Sequence, residues 1–165
     1  TEKVQGIEAK EPAFGLPALW IREDHRQQAE MRSYTVVPPT SVLATHLTEL
    51  IKRHADELLT RQEVKSLIDT VAQTHPKVVE ELIPKMMSLG DVQKVLQNLL
   101  RERVSIRDLV TILEALADFA PRTRNVALLT EYVRQAIGRA ICEPFIDEQG
   151  ELVCCKPFPS MPIYF

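Results

Sequence analysis

The stretch Asp91-Val-Gln-Lys-Val-Leu-Gln-Asn-Leu-Leu-Arg101 decides the fold. Val92, Val95, Leu96, Leu99 and Leu100 recur at the i, i+3, i+4 spacing with no exception. That spacing places every apolar side chain on one face of an α-helix. Such a face is stable in water only when other helices cover it, so the neighbouring sequence must supply them. Gly90 reads as the break before this helix.

Outward from this stretch, both flanks carry the same pattern. On the N-terminal side, Thr40–Leu58 bears an apolar stripe of Leu43, Leu47, Leu50, Ile51 and Leu58. Thr60-Arg-Gln-Glu63 is a capping box, in which Thr60 and Glu63 satisfy each other's orphan amides. It opens a helix with Val64, Leu67, Ile68 and Val71 on one side, closed near His75-Pro76. A shorter helix is expected over Pro76–Met87, with Pro84 near its end. On the C-terminal side, Ser105-Ile-Arg-Asp108 reads as a cap. Leu109, Ile112, Leu113, Leu116 and Ala117 then line a helix ended by Pro121. The last helix runs from Leu128 to Ile141, and its wide apolar face predicts that it is the centre of the bundle.

Pro12, Gly15, Pro17, Pro38 and Pro39 punctuate the first 39 residues. Strands are expected over Ala18–Ile21 and Tyr34–Val37, with a surface helix over Glu23–Arg32 between them. After the bundle, Phe145–Gly150 reads as a turn, Glu151–Cys155 as a short strand, and Lys156–Phe165 as an irregular tail. The expected fold class is mainly α: a helical bundle subdomain preceded by a partial α/β segment and followed by a short strand and an irregular tail. The expected divisions are 1–59, 60–143 and 144–165.

Composition agrees with a packed helical chain. The 165 residues are 45% hydrophobic and 26% charged, which excludes a disordered or collagen-like protein. No aromatic ring lies between Tyr34 and Phe119, and that argues against an all-β sandwich. Cys142, Cys154 and Cys155 are odd in number and two are adjacent, a poor disulfide framework that favours a reducing compartment. No apolar run reaches the roughly 18 residues of a membrane span. The first residue is Thr rather than Met, which reads as a piece of a longer protein.

Candidate chemistry is sparse. His46 and His54 are too far apart on one helix to chelate a single metal, and His54 is expected to be half-buried on the apolar stripe. Neither a Gly-rich phosphate loop nor a Gly-x-Ser-x-Gly elbow is present. No catalytic residue, cofactor or metal is therefore expected. The arginines from Arg101 to Arg139 stand among nearly as many acids, with no interleaved aromatic platform, so they read as solvated faces, helix-terminal charges and inter-subunit pairs rather than a nucleic-acid site. One surface feature stands apart. Glu11-Pro-Ala-Phe14-Gly-Leu-Pro17 sets an acid and an aromatic on a stiff loop. Phe14 reads either as an anchor into its own core or as a displayed side chain. Thr45 lies almost opposite the leucine stripe of its helix.

Several stretches resemble the flagellar and type III secretion export-gate family, the FHIPEP family. They are Glu11-Pro-Ala-Phe-Gly-Leu-Pro-Ala-Leu-Trp-Ile21, Tyr34-Thr-Val-Val-Pro-Pro-Thr-Ser-Val-Leu-Ala-Thr-His-Leu47, Val95–Asp108 with Thr111–Ala117, and Leu129–Ala140. The resemblance implies a parent protein in the bacterial inner membrane whose cytoplasmic half forms a homo-oligomeric ring beneath the export channel. It implies docking of flagellar export chaperones with bound substrates, contact with other export-apparatus subunits, and no enzymatic activity. It implies that Glu11, Phe14 and Thr45 bind the chaperones, although the family often has Asp where Glu11 stands. The equivalent gate of a virulence injectisome is the alternative parent. Only parts of the family's α/β subdomains precede the helical one. The Ala18–Ile21 strand is therefore expected to pair with Tyr34–Val37, to pair across chains, or to stay poorly ordered.

Overall fold

Helical periodicity governs the computed structural model of the chain, which describes residues 4–143. The turn, strand and tail expected beyond residue 143 lie outside the described residues, as do Cys154 and Cys155. The chain divides after His54 into two compact units. The expected boundary lay at residue 59, but the short helix before it groups with the second unit.

In the first unit, β1 (Ile7–Lys10) and β2 (Pro17–Trp20) form a two-stranded antiparallel sheet. Its register sets Ile7 opposite Trp20 and Lys10 opposite Pro17. This corrects the expected pairing: β2 pairs within the chain, with a strand over Ile7–Lys10 that the sequence reading did not find. Only four residues long, Ile-Glu-Ala-Lys carries no β-branched run to announce it. Gly6 allows the strands to meet, since a Cβ there would come within 2.7 Å of the Trp20 carbonyl oxygen. Pro17 sits at the first position of its strand, where a missing N–H is tolerated. Tyr34–Val37 is a second correction. It forms no strand and runs as irregular chain into Pro38. Among the described residues the sheet holds only β1 and β2, so this segment has no ladder partner.

A 3-10 turn over Glu23–His25 leads into α1 (Arg26–Met31), matching the expected surface helix. The helix expected over 40–58 is two: α2 (Pro39–Arg53) and α3 (Ala55–Leu58). Pro38 stands at the N-cap position of α2 without a side-chain cap, and Pro39 occupies the first helical position, where its fixed φ suits the helix.

The second unit adds α4 (Arg61–Thr74), α5 (Pro76–Leu82), α6 (Leu89–Arg101), α7 (Leu109–Phe119), α8 (Val126–Ala136) and α9 (Gly138–Cys142). The capping box forms as expected. The Thr60 N–H donates to Glu63 Oε2 at 3.1 Å, and the Glu63 N–H donates to Thr60 Oγ1 at 3.4 Å. Other helix starts differ. Ser88 caps α6, so Gly90 lies inside the first turn and breaks nothing. Asp108, not Ser105, caps α7 by accepting from the Thr111 N–H. Asn125 caps α8, accepting from Ala127 and Leu128.

The core is aliphatic. Val92, Val95, Leu96 and Leu99 of α6 are fully buried. Leu109, Ile112, Leu113 and Leu116 of α7 and Leu129 and Val133 of α8 pack in the same cluster. α6 meets α3, α4 and α8, while α7 meets α5 and α8. α8, expected at the centre, meets both α6 and α7, while Leu128 on its apolar face stays exposed. Phe119 and Tyr132 stack with centroids 4.1 Å apart where α7 and α8 meet.

Leu96→Ala is expected to lower the unfolding free energy by about 2–5 kcal/mol, from lost transfer energy and a residual cavity. Urea titration of the 165-residue chain checks this, and a change near zero would place Leu96 outside the core. Ser88→Ala is expected to cost about 1 kcal/mol through loss of the α6 cap. Ser88 Oγ also donates to Asp91 Oδ2 at 2.7 Å, which, with Lys94 nearby, holds the Asp91 carboxyl below its ordinary value. A depressed carboxyl stabilises the fold above its ordinary titration range, and that contribution fades as pH falls through the lowered value. The deficit of Ser88→Ala should therefore be larger at neutral pH than in acid, read from urea midpoints across the acidic range.

Candidate functional site

The loop joining β1 to β2 runs from Glu11 to Leu16 and is closed by its own backbone. The Glu11 N–H donates to the Leu16 carbonyl at 2.8 Å, and the Gly15 N–H donates to the Glu11 carbonyl at 2.8 Å. Gly15 has φ +71°, a left-handed conformation that costs a residue with a Cβ about 1 kcal/mol or more. The Glu11 side chain folds over this turn. Its Oε1 accepts from the Ala13 N–H at 2.8 Å and its Oε2 from the Phe14 N–H at 2.7 Å. Hydrogen bonds from backbone amides to a carboxylate are among the stronger ones, so Glu11 fixes the loop.

Ala13 is buried under the loop, while Phe14 at its tip is 64% exposed. The two sequence readings of Phe14 thereby separate within the described residues. Ala13, not Phe14, is the inward anchor, and the phenyl ring is displayed. Pro12 and the Glu11 hydrogen bonds stiffen the chain that displays it.

Thr45 lies on α2 with its side chain exposed. Val42, His46 and Glu49 on the same helix are half-buried. Leu43, Leu47 and Ile51 are exposed, although periodicity marked them as a covered stripe. A 3.6-residue pattern reports that a helix has an apolar face, not which element covers it. His54 corrects a further expectation, being exposed at the C-cap of α2, where its N–H donates to the Leu50 carbonyl. The structure thus joins Glu11 and Phe14 in one loop and puts Thr45 on a separate helix of the same unit. No hydrogen bond links Thr45 to the loop among the described residues. Ala13 and Gly15, which shape the display, were not singled out from the sequence. The Phe-Gly pair between two prolines is the signal that could have found them.

Among the described residues, no group of three or more His, Cys, Asp or Glu side chains is placed to hold a metal ion. No described helix is long and apolar enough to cross a membrane.

Together these features define a mainly α chain whose helical unit follows a hairpin with an outward-facing aromatic. The chain belongs to the FHIPEP family, whose model matches residues 1–159. It is 54% identical over 149 residues to the flagellar biosynthesis protein FlhA of Bacillus subtilis, covering 90% of this chain and 22% of that protein. It is 48% identical over 157 residues to the protein of the same name from Borreliella burgdorferi, covering 95% of this chain and 22% of that one. The chain therefore spans about a fifth of the length of these curated relatives. Among solved structures, the Chlamydia pneumoniae CdsV protein matches with a TM-score of 0.74 at 31% identity, over 88% of this chain and 42% of that chain. The nonameric SctV-C of EPEC matches with a TM-score of 0.67 at 27% identity, over 89% of this chain and 45% of that chain. A complex of the Chlamydia pneumoniae CdsV and CdsO proteins matches with a TM-score of 0.70 at 31% identity, over 81% of this chain and 38% of that chain.

Glu11→Ala is expected to speed amide hydrogen exchange at Ala13 and Phe14 by about tenfold or more, since each charged hydrogen bond contributes about 1.5–3 kcal/mol. The thermal midpoint of the helical core should stay as it is. Unchanged exchange at both amides would remove Glu11 from the organisation of the loop.

Proposed function

We propose that this chain belongs to the cytoplasmic part of a type III protein export gate in the bacterial inner membrane, and that its first unit docks chaperone–substrate complexes. The observation that carries the docking reading is Phe14, an exposed aromatic at the tip of a loop that Glu11 holds closed. Exposing a phenyl ring forgoes about 1.5–3 kcal/mol of burial, which a binding partner recovers. Thr45 supplies a hydroxyl on an exposed helix face, able to fix the register of an incoming helix or strand. Glu11 acts chiefly by shaping the loop, because both carboxylate oxygens already accept backbone hydrogen bonds.

The helical subdomain, 60–143, is the rigid spacer in this reading and carries contacts within a homo-oligomeric ring. The likeness to a nonameric SctV-C supports the ring. The likeness to CdsV in a complex with CdsO supports contact with other export-apparatus subunits. No catalytic step is part of the function. Higher identity to FlhA proteins than to CdsV favours a flagellar gate, and the structural likeness to CdsV and SctV-C keeps an injectisome gate as the second reading.

Pull-down of flagellar chaperone–substrate complexes by the full cytoplasmic region tests this function. Phe14→Ala and Thr45→Met should each weaken capture by about tenfold, as expected for a central anchor and a blocked register contact. Undiminished capture by both variants would sink the assignment of the site.

A further inference from the structure

The second unit has a shallow concavity that the docking function does not use. It measures about 370 Å³ and lies where the connection after α5 meets the connection between α7 and α8. Lys85 comes from the first connection, and Arg122 and Arg124 come from the second. Met86, Ala120 and Pro121 give it an apolar floor. Among the described residues, no carboxylate lines it. This distinguishes its cations from those of α6 and α8. There, Lys94 pairs with Asp91, Arg101 with Asp56 at 3.1 Å, and Arg134 with Glu102 at 3.0 Å.

Helix stability does not account for the cluster. Arg122 follows the C-terminus of α7, where a cation is favourable, and lies over the Phe119 ring at 5.4 Å. Arg124 is the reverse case. It immediately precedes Asn125, the N-cap of α8, so its charge stands at the positive end of that helix dipole, where a cation is unfavourable. The site therefore sums three side-chain charges with a helix N-terminus. The backbone of the α7–α8 connection is held by its own hydrogen bonds. The Arg122 and Thr123 N–H groups both donate to the Phe119 carbonyl, and the Asn125 N–H donates to Thr123 Oγ1 at 3.1 Å.

We infer that this concavity binds an acidic segment of a partner polypeptide, with carboxylates on Lys85, Arg122 and Arg124 and an apolar side chain on the Met86–Pro121 floor. The mixed lining favours a peptide over a nucleic acid. A phosphate backbone would use the cations but not the floor, and stacking is closed because Phe119 already faces Tyr132. The whole chain, at −3, also gives no general attraction to polyanions.

The probe is a short fluorescein-labelled peptide rich in Glu with a central Leu, titrated with the 165-residue chain and followed by anisotropy at about 0.15 M salt. Saturable binding is expected, with a loss of about tenfold or more in the double variant Lys85→Gln/Arg124→Gln. Both side chains are exposed, so folding should be kept, which circular dichroism checks. Lys65→Gln, a cation elsewhere in the unit, should bind as the parent does. Phe14→Ala should also leave this binding unchanged, which separates the site from the proposed chaperone loop. The inference is overturned if the peptide fails to saturate or if its Gln counterpart binds equally. It is equally overturned if the double variant binds as the parent does, or if a single-stranded oligonucleotide binds more tightly than the peptide.

Discussion

Covering one helix face is the constraint on which the helical unit depends. Val92, Val95, Leu96 and Leu99 of α6 have no exposed surface at all, and each fully buried aliphatic side chain contributes about 1.5–3 kcal/mol. Three helices, α3, α4 and α8, are drawn onto α6, and α7 closes the cluster against α8 and α5. Aliphatic side chains dominate this interior; the aromatic pair Phe119 and Tyr132 is only partly buried. The ring-free stretch of sequence between Tyr34 and Phe119 thus contains most of the core.

Polar groups on α6 settle where its neighbours sit. α3 has only four residues and could not persist alone. The Gln93 amide donates to the Leu59 carbonyl at 2.9 Å and the Gln97 amide to the Asp56 carbonyl at 3.1 Å, satisfying carbonyls at the end of that short helix. Arg101 adds an ion pair to Asp56. Toward α8, Asn98 donates to Thr130 Oγ1, the one polar side chain buried among the described residues, whose own hydroxyl donates to the Val126 carbonyl. One helix therefore carries the apolar seam and the hydrogen bonds that align what packs on it.

The first unit works by different physics. A two-stranded hairpin is marginal by itself, so its loop is ordered locally, by two backbone hydrogen bonds, a left-handed glycine and a carboxylate over two amides. Local ordering leaves the phenyl ring of Phe14 outside, and a ring held in place before binding loses less entropy when a partner covers it. In the proposed docking function, the loop's rigidity is the physical reason for a Phe between Glu11 and Gly15 to serve as a contact rather than a core side chain.

Much of this was legible in the residues. The spacing of Val92 to Leu100, the Thr60–Glu63 box and the prolines at 76 and 121 place four helices to within a few residues, because helix formation depends on neighbours three or four positions away. The Pro-Ala-Phe-Gly motif marked Phe14 for the same local reason. Other features escaped because they depend on partners distant in sequence. Ile7–Lys10 becomes a strand only by meeting Pro17–Trp20, and Tyr34–Val37, with stronger β-forming residues, finds no ladder. α8 is covered by both α6 and α7 yet leaves Leu128 exposed, because burial is shared among helices and no periodicity says how far each stripe is covered. Lys85 stands with Arg122 and Arg124 across nearly forty residues, a grouping that the charge count over the arginines from Arg101 to Arg139 did not reach. By itself, then, the sequence determined most of the helices, the Thr60–Glu63 cap and the stiff loop that carries Phe14, through interactions within one turn. Tertiary structure alone decided which faces are covered and which charges stand together, because burial and Coulomb energy depend on distance in space rather than along the chain.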